Sequence, residues 1–145
     1  MAKRNNDEDE GVFSDTEIAA MQEAKKERKK GKKADGLAEL LAKVEEMEGT
    51  DRKIAERLHE LVTTHAPGLT PKTWYGMPAW ADENGKAVCF FKAADKFTER
   101  YATFGFNPNA KLDEGNMWPT SYAVLKLGEA EEKQIIAMIR KAAGS

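Results

Sequence analysis

Residues 72–92, KTWYGMPAWADENGKAVCFFK, decide the fold class of this chain. Before this segment apolar residues recur at helical spacing, whereas here aromatic and β-branched residues come in short runs between Gly, Pro and Asn. Thr73-Trp74-Tyr75 predicts a short strand that Gly76-Met77-Pro78 interrupts. Ala79-Trp80-Ala81 is either the continuation of that strand or a second strand.

A hairpin is predicted next, at Asp82-Glu83-Asn84-Gly85, because Asn-Gly tolerates the positive φ angles of a type I′ turn. Residues 86–92 form the returning strand. Residues 100–106 predict another strand, with Tyr101 and Thr103 on one face and with Ala102, Phe104 and Phe106 on the other. A loop of about a dozen residues follows, long enough to favour a functional role, and residues 121–127 predict the last strand.

Helices are predicted on both sides of these strands, because apolar residues recur there three or four positions apart. The stripes are Leu37, Leu40, Leu41, Val44 and Met47, then Ile54, Leu58, Leu61, Val62 and His65, and finally Ile135, Met138, Ile139 and Ala142. Strands linked by short hairpins and flanked by helices are typical of an antiparallel sheet. We therefore expect an α+β fold in which about five antiparallel strands are packed by helices.

The chain before this domain predicts two further segments. Residues 1–12 are mostly polar and charged, which predicts a disordered tail. Residues 13–34 predict a helix, which leaves residues 35–145 for the α+β domain. The end of this helix is a basic run that begins at Lys25 and ends at Lys33. Cations suit the C-terminal end of a helix, so the run predicts a solvated helix end or, alternatively, a contact with nucleic acid or an anionic partner.

Composition excludes several classes of protein. A length of 145 residues suits one domain with a tail, and a net charge of −2 argues against a basic nucleic-acid footprint over the whole protein. Cys89 is the single cysteine, so no disulfide can form within the chain, and a reducing cytoplasm is the natural compartment. The sequence shows neither a signal peptide nor an apolar stretch of membrane-spanning length, so no membrane partner is expected.

Motifs of known enzyme classes are missing, since no phosphate-binding glycine loop, zinc-protease helix or serine-nucleophile turn occurs. We therefore predict a protein that is not an enzyme. His59 and His65 lie about 120° apart on one helix, which prevents them from sharing a metal ion there. His59 is expected to titrate in solvent and His65 to pack. Cys89 stands in an apolar run, which predicts a raised thiol pKa.

Two aromatic motifs concentrate the residues that could form a site. Trp74, Tyr75, Met77 and Trp80 belong to the first motif, and Met117 and Trp118 to the second. These side chains either fill the core or line a pocket. Asp113 and Glu114 precede the second pair, in a loop that also offers Asn107 and Asn109. Their carboxylates are candidate ligands for a metal ion, or they accept hydrogen bonds from loop amides.

These motifs together resemble the YdhG-like family of bacterial domains, which is grouped with YjbR-like and frataxin (CyaY) proteins. The resemblance rests on Ala66-Pro67, Trp74-Tyr75-Gly76-Met77-Pro78-Ala79, Gly105-Phe106, Leu112-Asp113-Glu114-Gly115 and Met117-Trp118-Pro119-Thr120. It covers residues 37–143 and implies an antiparallel sheet backed by helices, in a family of mostly unknown function. The chain departs from many relatives at Lys96-Phe97-Thr98-Glu99, where a histidine-bearing segment is expected.

Some members of this family are described as frataxin-like iron chaperones, so the resemblance implies iron as a possible cargo. The implied ligands are Asp113 and Glu114, or the helical residues Glu45, Glu46 and Glu48.

The leading hypothesis is a non-enzymatic cytosolic binding domain whose small ligand or metal ion lies between the Gly-Met-Pro turn and the loop at residues 113–120. The alternative is a nucleic-acid or protein interaction module that uses residues 25–33. A third hypothesis, an enzyme with a carboxylate base at Asp113 or Glu114, lacks a supporting motif. The sequence does not predict the oligomeric state.

Overall fold

The computed structural model describes residues 33–144 and confirms the α+β fold. The predicted tail, and the predicted helix before residue 33 with its basic end, lie outside the described residues. Within them the elements follow in the order α1 (Lys33–Glu46), α2 (Gly49–His65), β1 (Thr70–Trp74), β2 (Met77–Ala81), β3 (Ala87–Lys92), β4 (Ala102–Phe106), β5 (Ser121–Val124) and α3 (Glu129–Ala143).

The five strands form one sheet in the order of the sequence, β1-β2-β3-β4-β5, and every neighbouring pair is antiparallel. β1 and β2 are joined by Tyr75 and Gly76 alone, whose φ angles are +51° and +77°. Positive φ at both central residues is the geometry of a type I′ turn. Ala79-Trp80-Ala81 therefore belongs to a second strand, and Tyr75 lies in a turn and not in a strand.

The predicted hairpin between β2 and β3 is present, but the predicted type I′ turn at Asn84-Gly85 is wrong. Gly85 has a φ of +80°, whereas Asn84 is not among the residues with positive φ. The Asp82 side chain shapes the turn instead, because its Oδ1 accepts hydrogen bonds from the backbone N–H groups of Asn84 (2.9 Å) and Lys86 (3.0 Å). These two hydrogen bonds of the Asp82 side chain thus stabilise a turn that differs from the predicted type I′ turn.

One face of the sheet is covered by the helices. Because side chains alternate along a strand, Cys89 and Phe91 point to this face together. They join the predicted stripes of the helices in a core whose most buried members include Leu40, Leu58, Trp80, Phe91, Phe104 and Ile139. The predicted division of β4 is confirmed, since Ala102, Phe104 and Phe106 are buried. Leu41 departs from its predicted stripe and is largely exposed.

Burial raises the pKa of the Cys89 thiol far above its ordinary value, as the apolar run predicts. The thiolate, which is the nucleophilic form, is correspondingly disfavoured. Cys89 therefore contributes to packing in the core.

Helices α2 and α3 are joined by a bidentate ion pair. Arg57 donates hydrogen bonds from Nε and Nη2 to the two carboxylate oxygens of Glu132, at 2.8 and 2.9 Å. These bonds hold the pKa of Glu132 below its usual range. The pair links the two helices on the covered face of the sheet. None of the three helices in residues 33–144 combines the length and the apolar content needed to cross a bilayer.

His59 lies against this core, so the prediction that it titrates in solvent is wrong. The indole Nε1–H of Trp80 donates a hydrogen bond to His59 Nδ1 at 3.2 Å. Trp80 is only 1% exposed, so its N–H needs an acceptor inside the protein. The bond requires an unprotonated Nδ1, and burial lowers the pKa of His59 from its ordinary value of 6.5.

We predict that His59 makes the fold less stable in acid. The unfolded chain binds the imidazole proton as the pH falls below about 6.5, while the folded chain resists it. The stabilisation is therefore complete above that pH and is lost as the pH falls towards the folded-state pKa. Urea unfolding at about pH 8 and at about pH 5 measures the loss in the free energy of unfolding. His59→Gln removes the titrating ring, so the difference in the free energy of unfolding between the two pH values should become smaller. An unchanged difference contradicts the assignment of this pH dependence to His59.

Candidate functional site

The sheet face opposite the helices carries a groove of about 670 Å³. Residues that are paired across neighbouring strands point to the same face of the sheet. The pairs on this face are Trp74 with Met77, Phe90 with Gly105, and Lys92 with Thr103. Strand and loop residues alone line this open-face groove: Trp74, Tyr75, Met77, Phe90, Lys92, Phe97, Glu99, Tyr101, Thr103, Gly105, Phe106, Asn107, Thr120 and Ser121. The groove is therefore accessible from the side that the helices leave uncovered.

Three aromatic rings form its floor and one end. The rings of Trp74 and Phe90 lie 5.0 Å apart and are tilted by 39°. The ring of Tyr75 meets Trp74 edge-on, with 4.8 Å between centroids, and half of Tyr75 is exposed. Such rings offer apolar surface with few rotatable bonds. The floor is thus a preformed aromatic surface.

The Phe90 ring lies directly over Gly105 of the neighbouring strand. A Cβ atom at Gly105 would stand 2.5 Å from Cζ of Phe90, which is closer than van der Waals contact permits. Glycine leaves room here for an aromatic ring to cover the strand backbone, a known pairing in sheets. The position of the Phe90 ring, whose outer end lies over the strand, depends on this glycine.

Residues 93–101, between β3 and β4, form the mouth of the groove. Phe97 is at their tip and is partly exposed, with Lys92 Nζ 5.0 Å and Lys96 Nζ 5.9 Å from the centre of its ring. Lys92 Nζ also lies 3.3 Å from a carboxylate oxygen of Glu99. The mouth therefore combines an apolar ring with charged side chains of both signs, since residues 93–101 also contain Asp95 and Arg100.

Asp51, in the first turn of α2, anchors this mouth to the helices. Its two carboxylate oxygens accept hydrogen bonds from the backbone N–H groups of Ala94 (3.1 Å) and Asp95 (3.0 Å), and the residue is buried. Two backbone hydrogen bonds within the segment, from Thr98 N–H to Asp95 O and from Glu99 N–H to Ala94 O, stabilise its turn. The segment that carries Phe97 is thus held in one conformation.

The first aromatic motif contributes three of its four predicted site residues to the open-face groove. Trp74, Tyr75 and Met77 line it. Trp80 points to the opposite face, where it is buried beside His59. The hairpin at Tyr75 and Gly76 explains the separation, because register places Trp80 opposite Pro71 and away from Trp74.

The second aromatic motif lies elsewhere. Met117 is 87% exposed, and Trp118 is partly buried against the core. Neither residue lines the open-face groove, and Thr120 is the member of the motif that reaches it. The structure therefore separates Trp74, Trp80 and Trp118, which the sequence groups as candidates for one site.

Asp113 and Glu114 are both exposed. Glu114 pairs with Lys141 Nζ at 3.1 Å, and the side-chain amides of Asn107 and Asn109 donate to Ala87 O and to an Asp82 oxygen. Within residues 33–144 no group of three or more His, Cys, Asp or Glu side chains is arranged to hold a metal ion. The structure thus brings no third ligand of these types to Asp113 and Glu114.

Phe90, Lys92, Phe97 and Thr103 are groove residues that the sequence prediction missed. Strand alternation does place Phe90 and Lys92 on the face opposite Cys89, which is a usable signal. Thr103 follows from the same alternation in β4. Phe97 has no such signal, because its position depends on the anchor of its loop to Asp51, a residue far away in the sequence.

We expect Gly105→Ala to lower the free energy of unfolding by about 1–3 kcal/mol, the range for overpacked sites. The new methyl group must displace the Phe90 ring, which also disturbs its contact with Trp74. Urea unfolding and the near-ultraviolet circular dichroism of the aromatic residues measure both effects. Gly68→Ala is the matched control, because a Cβ there meets nothing within 4 Å. Equal stability of the two variants contradicts the close contact.

We expect Asp51→Ala to lower the free energy of unfolding by about 2 kcal/mol, since it removes a charged acceptor from two loop N–H groups. Amide hydrogen exchange should accelerate at Ala94 and Asp95. Asp113→Ala, a change at an exposed carboxylate, should stay within about 0.5 kcal/mol of the unchanged protein. Unaltered exchange at the two loop amides in Asp51→Ala argues against the anchor.

Comparison with known proteins does not extend these findings: no family model matches the chain, and neither does any curated protein or solved structure. The resemblance to the YdhG-like family accordingly stays a prediction from its motifs.

Proposed function

We propose that this chain is a non-enzymatic cytosolic binding domain whose ligand lies in the open-face groove and presents a flat aromatic or apolar surface. The pair of Trp74 and Phe90 carries this proposal, because two large rings in contact form the floor of the groove instead of joining the core. The proposal assigns no catalytic residue.

The apolar composition of this surface is unusual for its position. An antiparallel sheet with one covered face normally turns polar side chains to water on the other. Here the open face presents Trp74, Met77 and Phe90, with Tyr75 at its end. Trp74, Met77 and Phe90 are partly buried and Tyr75 is half exposed. A contiguous apolar surface that is open to solvent commonly marks a binding site. The volume of about 670 Å³ is that of a small-molecule site.

The mouth supports the same proposal. Asp51 holds the Phe97 segment through two hydrogen bonds, so a ligand need not order that segment on binding. Preorganised sites lose less conformational entropy when they bind. A rigid aromatic floor and a fixed rim are properties of a binding site.

The iron-chaperone hypothesis remains a specific prediction of the family resemblance. Titration with Fe²⁺ tests it, since NMR broadening confined to Asp113 and Glu114, or to Glu45, Glu46 and Glu48, supports iron binding. No broadening at millimolar metal contradicts it. The interaction module at residues 25–33 likewise remains an alternative proposal.

We expect a neutral planar probe, adenosine, to shift the amide resonances of Thr103 and Ser121 in the full chain. Trp74→Ala should weaken the affinity by about 5-fold to 100-fold, because stacking of a base on an aromatic side chain contributes about 1–3 kcal/mol. Met117→Ala, which removes an exposed side chain from the second motif, is the matched control and should change nothing.

Thermal unfolding of both variants separates lost binding from lost folding. Shifts centred on Met117 and Trp118, or affinity that survives Trp74→Ala in a folded protein, contradict the proposed site.

A further inference from the structure

We propose that the ligand of the open-face groove is a nucleotide unit, with its base on Trp74 and Phe90 and its phosphate at Lys92. This inference rests on the proposed function and adds the chemical class of the ligand. A free nucleotide and one residue of a single-stranded nucleic acid share this chemistry.

The rim of the open-face groove carries a small excess of positive charge. Lys92 and Glu99 line the open-face groove, and the cations Lys96 and Arg100 and the anion Asp95 belong to the segment at its mouth. In a chain with a net charge of −2, the rim of the groove thus has one cation more than it has anions, beside partly exposed aromatic rings.

Lys92 is placed to meet a phosphate next to a stacked base. It follows Phe90 by two residues on the same face of β3, a separation of about 7 Å along the strand. Its Nζ is held by Glu99 at 3.3 Å and lies near the Phe97 ring. Exposed ion pairs of this kind contribute little net free energy, so a phosphate can take the place of the Glu99 carboxylate.

Hydroxyl groups lie beside the aromatic floor in the same register. Thr103 is paired with Lys92, and Ser121 is paired with Gly105 beneath the Phe90 ring. Hydroxyls can donate to and accept from sugar oxygens. An antiparallel sheet with aromatic side chains on its open face and cations at the rim is the arrangement by which single-stranded nucleic acids are bound through stacking.

The test compares adenosine, adenosine monophosphate and an oligoadenylate of about ten nucleotides for binding to the full chain, by titration calorimetry and NMR. The monophosphate should bind about tenfold more tightly than adenosine, because a charge-assisted contact contributes about one such factor. Lys92→Gln should remove that gain, so that the variant binds adenosine and its monophosphate with equal affinity. Lys92→Arg should restore the gain.

Glu99→Gln should have the opposite effect to Lys92→Gln on the affinity for the monophosphate. Without the competing carboxylate, the gain in affinity of the monophosphate over adenosine should be larger than in the unchanged chain. Lys133→Gln on α3 is the control for loss of a positive charge away from the groove and should alter neither affinity.

The outcomes separate the two proposals. Equal binding of adenosine and its monophosphate at the groove overturns the nucleotide assignment and leaves the proposed function intact. A monophosphate gain that Lys92→Gln does not reduce also overturns it. Absence of adenosine binding at Trp74 contradicts the proposed function itself. Tighter binding of the oligoadenylate, with affinity falling as salt rises, identifies a single strand as the source, and equal affinity identifies the free nucleotide.

Discussion

The contact between the Phe90 ring and the backbone of Gly105 is the constraint on which the open face of this protein depends. With no side chain on β4 at that point, the outer end of the ring lies over the neighbouring strand. Trp74 can then meet Phe90 at 5.0 Å and the two rings form one surface. A side chain at residue 105 would lift Phe90 into the groove, so the shape of the candidate site follows from one missing Cβ.

The two faces of the sheet use tryptophan in opposite ways. On the covered face, Trp80 is buried and its indole N–H donates a hydrogen bond to His59, so this N–H is not accessible to a ligand. On the open face, Trp74 contacts Tyr75 and Phe90 and remains available to a ligand. The same residue type therefore supplies stability in one place and binding surface in the other.

Helix α2 connects the stability of the core to the shape of the groove. Its buried residues, such as Ile54 and Leu58, hold it against the sheet, and Asp51 in its first turn holds the segment that carries Phe97. Because that segment also contains Lys96 and Glu99, the position of α2 influences where these charges lie relative to Lys92 of β3. Packing on the covered face thus influences the position of the segment at the mouth of the open-face groove.

Sequence alone determined the features that depend on local spacing. Helical stripes such as Ile54, Leu58, Leu61 and Val62 identified the buried helix faces, and strand alternation in β4 separated Thr103 from Phe104, because both periodicities are properties of a short stretch of chain. Only the tertiary structure decided that Trp74 and Trp80 face opposite sides, since this depends on the hairpin that turns the chain at Tyr75 and Gly76. It also decided that Phe97 belongs to the groove while Met117 and Trp118 do not. Those positions depend on contacts between residues far apart in the chain, such as Asp51 with Ala94, and no local pattern encodes such a contact.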